Sequence, residues 1–155
     1  MRAMMGGILV LALIGGATSD PKPALTLTAL QGNPLSVQHA WTAQVSDGKV
    51  RIQRPGKSVR TRHPKSVEVE AVVRVLKATR FAALPEHLGV GGACDDCSRC
   101  VIKADMGDGT HQVVFEASGA AQGPTPSPEE VQRFLLGWRA IKALAGVVAI
   151  PDLCP

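Results

Sequence analysis

A chain of 155 residues, 45% hydrophobic and 19% charged, is long enough for one ordinary domain and apolar enough to pack a core, which excludes a wholly disordered polypeptide. Its formal charge is +4, and aromatic residues make up only 3%, with no Tyr. So few rings exclude a base-stacking platform for single-stranded nucleic acid, which needs several exposed at once.

The N-terminus has the pattern of an export signal. Met1-Arg2 supplies a positive start, Ala3 to Ala17 runs uncharged and mostly apolar, and Ala17-Thr18-Ser19 sets small residues before Asp20, as a signal-peptidase site requires. The uncharged run is shorter than the roughly 18–20 residues of a spanning helix, so cleavage is expected rather than a retained anchor. No Cys lies near the cleavage point to carry a lipid. The expected organisation is a signal peptide over residues 1–19, a leader over 20–38 that is flexible or a short strand, and one domain over 39–155. The expected location is the periplasm or medium of a bacterial-type cell.

In the leader, Leu25, Leu27 and Ala29 alternate with Thr26 and Thr28, which suits a short strand. Asp47-Gly48 then marks a tight hairpin, because both central positions of a type I′ turn need positive φ. That turn pairs Val45 with Val50, Ala43 with Ile52 and Trp41 with Arg54. Apolar residues then share one face, while Thr42, Gln44, Lys49, Arg51 and Gln53 share the other. A turn at Arg54-Pro55-Gly56-Lys57 leads to a third strand near residues 58–62. Residues 66–80 place Val69, Val72, Val73, Leu76 and Ala78 at helical spacing, with Glu68 and Glu70 at the end the helix dipole favours. The Val-Glu-Val-Glu start also suits a strand, and helix is the preferred reading.

A second hairpin is expected with Asp108-Gly109 at its tip, pairing Ala104 with Val113 and Ile102 with Phe115. After a loop over 117–126, Ser127-Pro128-Glu129-Glu130 forms a capping box with Pro at the first helical position. Val131, Phe134, Leu135, Trp138, Ile141, Leu144 and Ala145 make one apolar stripe, and Gly146 closes the helix. The expected fold is α+β in ββαββα order: an antiparallel sheet of two hairpins, two helices on one face, braced by disulfides.

Cys94, Cys97, Cys100 and Cys154 offer three chemistries. In an oxidising compartment an even set forms disulfides, and a bridge from the cluster to Cys154 closes roughly 60 residues, stabilising by about 4 kcal/mol against about 2 for a CxxC ring. The pairing is not fixed by spacing. Three thiolates at CxxCxxC spacing plus Cys154 could also hold zinc, although structural zinc usually takes two separated ligand pairs. A redox dithiol needs a lowered thiol pKa, which Asp95 and Asp96 oppose, and no βαβ pattern precedes the motif.

From Lys49 to Lys65 there is no acid, and Arg51, Arg54, Lys57, Arg60 and Arg62 form a candidate partner-binding set for an acidic extracytoplasmic protein. A solvated face balancing the acidic second half is the plainer alternative. His39, His63, His87 and His111 recur every 24 residues with unrelated flanks, a poor metal pattern. Asp105 to Thr110 lacks the alternating acids of an EF-hand loop. No nucleophile elbow, HExxH or phosphate-binding glycine loop is present, so neither catalysis, cofactor, metal nor nucleic acid is expected.

Three stretches resemble the emfourin group, small bacterial proteins whose founding member inhibits a thermolysin-like metalloprotease. They are the basic strand Val50-Arg-Ile-Gln-Arg54, the helix end Phe81-Ala-Ala-Leu84-Pro85, and Asp108-Gly-Thr-His111-Gln-Val113 before an amphipathic helix. The family's paired glycines are replaced by Arg54-Pro55-Gly56, and the cysteines and export signal lie outside its pattern. The resemblance implies a β-rich sheet with two helices and a protein-binding or inhibitory role, with no inhibitory residue assigned. The functional expectation is a non-catalytic binding module, with an inhibitor-like role as its narrower form; the alternative is a thiol-redox or zinc protein using the CxxCxxC cluster. Intact-mass measurement with alkylation separates them. The binding-module reading predicts a native protein four hydrogens lighter than its reduced form with nothing alkylated; free thiols or bound zinc contradict it.

Overall fold

The computed structural model describes residues 24–30 (by backbone), 41–89, 99–116 and 125–148. Among these, seven strands and two helices run β1 (Ala24–Leu30), β2 (Trp41–Ser46), β3 (Lys49–Gln53), β4 (Arg60–Arg62), α1 (Ser66–Ala78), β5 (His87–Gly89), β6 (Arg99–Asp105), β7 (Thr110–Glu116) and α2 (Pro128–Ala145). A 3-10 turn at Phe81–Ala83 follows α1. The strands form one sheet in the order β4-β3-β2-β1-β6-β7-β5, antiparallel except where β5 runs parallel to β7. The α+β class and the ββαββα core order hold, with three more strands than two hairpins supply.

The first hairpin has the expected register, Val45 opposite Val50 and Ala43 opposite Ile52. Asp47 at φ 50° and Gly48 at φ 70° supply the positive dihedrals of its turn. The second hairpin departs from expectation by two residues: Ile102 faces Val113, Ala104 faces His111, and Met106 to Gly109 form the loop. Asp105 accounts for the difference. Its carboxylate accepts the Gly107 N–H at 3.0 Å and the Thr110 hydroxyl at 3.5 Å, closing a wider loop. Positive φ falls on Gly107 and Gly109, while Asp108 has none. An even slip preserves the faces, so the inward set is unchanged.

In the leader segment, the alternation of Leu and Thr becomes the short strand it suits. Residues 24–30 form the strand that joins the hairpins, pairing with β2 on one side and β6 on the other, so the sheet starts well before residue 39. The inward face then lines up in rows across the strands. Trp41, Cys100, Phe115 and Leu88 occupy one row, and Ile52, Ala43, Ile102 and Val113 the next. All are buried.

The α2 helix lies over these rows. Its Phe134 stacks on Phe115 at 5.3 Å between centroids, and Trp138 meets Trp41 at 5.6 Å. Ser127 accepts the Glu130 N–H at 3.2 Å, Glu130 accepts the Ser127 N–H at 2.7 Å, and Gly146 ends the helix at φ 66°. This is the capping box and left-handed stop read from the sequence. Val72 and Leu76 of α1 enter the same buried cluster, so one core serves both helices and the sheet.

Gly137 permits the close three-way contact. A Cβ there would stand 2.8 Å from Leu76 Cδ2 and 3.7 Å from Ile102 Cδ1. Gly137→Val should therefore lose about 1–3 kcal/mol through overpacking. Gly137→Ala should lose much less, because the better helix propensity of Ala, about 1 kcal/mol, offsets displacement of Leu76. Urea titration reads both; a Val variant as stable as the Ala variant would contradict the contact.

Candidate functional site

The basic stretch is divided by the pleat. Arg51, opposite Gln44, lies on the sheet face away from the helices, and it is exposed. Arg54 and Lys57 sit in the β3–β4 turn, where the Lys57 N–H donates to the Arg54 carbonyl at 3.1 Å and Gly56 takes φ 66°. Arg60 and Arg62 pair with Ile52 and Val50, which places them on the helix side.

Arg62 is engaged internally. Its guanidinium donates to the Ala143 carbonyl at 3.3 Å and also to the Leu144 carbonyl, and it pairs with Glu68 at 2.7 Å. A cation thus meets the negative end of α2 and an acid in the first turn of α1. Arg133 does the converse, donating from α2 to the Thr79 and Arg80 carbonyls at 2.6 Å each, just past the end of α1. The two arginines lock the helices antiparallel.

The outward face of the sheet carries a different surface. In register across it run Thr61, Arg51, Gln44, the β1 position Thr26, Lys103 and Gln112. Apart from Thr26, whose side chain is not described, each is exposed. Lys49 adds a further exposed cation one row away. The strand-borne acids of this face are occupied at its margin: Asp105 by the β6–β7 loop and Glu116 by Arg99 at 2.9 Å. Arg51, Lys49 and Lys103 take no ion-pair partner among the described residues. Towards β5 the face turns apolar, with Val101 opposite Val114. Sequence alternation already sets Arg51 with Gln44, and Lys103 with Gln112; their union into one row depends on β1.

Cys100 is buried on β6. Cys94, Cys97 and Cys154 lie outside the described residues, as does His39. His63 and His87 are exposed, whereas His111 Nε2 lies 3.0 Å from the Leu84 carbonyl with its ring edge-on to Phe81. Among the described residues no three His, Cys, Asp or Glu gather as a metal site would need. No described helix is long and apolar enough to cross a membrane. A groove of about 330 Å³ separates α1 from α2, walled by Ala71, Val72, Val75, Ala140, Ala143 and Leu144. Its acid, Glu68, is paired with Arg62, so the groove offers no free reactive group.

Compared with known proteins, the chain matches no family model and none of the curated proteins.

Two carboxylates link stability to pH. The Lys65 N–H, followed by the smaller attraction of Arg62, holds Glu68 below its ordinary 4.5 against desolvation. Ser127, through its N–H and hydroxyl, does the same for Glu130, aided by Arg133. Groups depressed in the folded state stabilise fully above the unfolded value and lose that effect as pH falls through the folded one. Acid titration of stability should therefore fall below about pH 4.5, and a Glu68→Gln/Glu130→Gln variant should show a shallower fall. An unchanged acid limb would contradict both contacts.

Proposed function

We propose that this chain is an exported, disulfide-braced module that binds an acidic protein through its basic surface and performs no catalysis. The observation that carries the reading is the outward sheet face, where exposed cations and amides stand together while the nearby strand acids are already paired. A surface kept positive in this way steers and orients a negative partner. The even set of four cysteines suits disulfides in an oxidising compartment, which accords with the apolar Ala3–Ala17 segment as an export address. Bracing through these cysteines is part of the proposal. The similarity of Val50–Arg54 and Asp108–Val113 to the emfourin group supports a binding or inhibitory role over a structural one.

The alternative chemistry of a zinc or dithiol centre draws no support from Cys100, which is enclosed in the apolar core. The test is affinity capture by the oxidised full chain from a periplasmic or culture-medium fraction, followed by binding of the isolated partner in rising salt. An acidic protein whose affinity falls steeply with salt is expected, since exposed charge pairs are screened beyond about 8 Å at physiological ionic strength. Salt-independent binding, or no extracytoplasmic protein retained, would contradict the reading.

A further inference from the structure

We propose that the outward sheet face receives an extended acidic segment of the partner protein, laid across the strands with two carboxylates four residues apart on Arg51 and Lys103. The inference rests on the protein-binding reading and specifies its surface and ligand.

Arg51 on β3 and Lys103 on β6 share one row, separated by β2 and β1. Three strand spacings of about 4.8 Å put them about 14 Å apart. An extended chain rises about 3.4 Å per residue, so side chains at i and i+4 leave the same side at about the same separation. The residue at i+2 points to that side too and falls over β2 and β1. There Gln44 offers its amide and no acid intervenes. The face thus alternates cation, amide and cation at a spacing that suits acid, polar and acid residues on alternate positions.

Other polyanions fit this face poorly. The three Phe and two Trp of the chain are all buried, and there is no Tyr. No aromatic ring is therefore left to stack on a base or sugar. Phosphate backbones are bound through a high density of cations, whereas this row intersperses its cations with neutral amides and hydroxyls. Carboxylates on a polypeptide, whose own peptide groups can bond to Gln44 and Gln112, make better use of it.

The test is an amide-resolved NMR titration of the oxidised full chain with Ser/Thr peptides carrying two Glu, either four residues apart or, at equal charge, adjacent. Shifts confined to β3, β2, β1 and β6 are expected, with about threefold tighter binding of the spaced peptide. Arg51→Gln and Lys103→Gln should each weaken that peptide by about threefold, as exposed charge pairs do, and erase the spacing preference. Arg54→Gln should leave both unchanged. Equal binding of the two peptides overturns the geometry, as does tighter binding of a DNA duplex of matched charge to this face. Shifts gathered around Arg54 and Lys57 overturn this surface while leaving the protein-binding reading intact; no shift at millimolar peptide overturns both.

Discussion

The pleat of a strand sends successive side chains to opposite faces, so a strand can feed a core on one side while presenting something else on the other. In this chain the two streams are kept almost wholly apart. Trp41, Ala43, Val45, Val50, Ile52, Ile102, Ala104, Val113 and Phe115 go inward, and each is buried. Their neighbours in sequence are Thr, Gln, Lys and Arg along β2, β3 and much of β6. Burying a Val, Ile or Phe is worth about 1.5–3 kcal/mol, and a register slip of one residue would forfeit that along a whole strand. The core therefore fixes the outward face as firmly as it fixes itself.

That dependence links the helices to the candidate site. The α2 helix can lie close over the sheet because Gly137 leaves room for Leu76 and Ile102. The Arg62 and Arg133 contacts hold α1 beside it, one arginine at each helix C-terminal end. All of this occupies the inward side. It leaves Arg51, Gln44, Lys103 and Gln112 fixed in position by strands that are buttressed from behind. A flat surface built on paired strands needs little ordering when a partner arrives, which favours binding over a surface made of loops.

Much of this was legible because the local chemistry was unambiguous. The first hairpin could be registered from Asp47-Gly48, since few other dipeptides accept two positive φ values. The final helix was legible from its capping box, its stripe and Gly146. The second hairpin closes two residues from the Asp-Gly register because Asp105, one turn away from that obvious pair, supplies a competing side-chain bond. The middle position of β1 was not legible at all. Leu and Thr alternation shows that Ala24–Leu30 suits a strand, yet nothing local names its neighbours. The same limit hid the site: Arg51 and Lys103 belong to different hairpins, and β1 makes them one row. The basic stretch read as a block from Arg51 to Arg62 was divided for an equally simple reason, because Arg60 and Arg62 fall on inward register positions. The three-residue β5 is too short to leave a readable pattern.

The separation of a covered face from an uncovered one is the claim on which fold and function both stand. It is measured most directly by the broadening that a neutral soluble paramagnetic probe causes in the NMR spectrum of the full chain. The side-chain amides of Gln44, Gln53 and Gln112 should broaden strongly, while the methyls of Ala43, Val45, Ile52 and Ile102 remain sharp. Protection of those amides equal to that of the methyls would mean a second covered face, and would contradict the account.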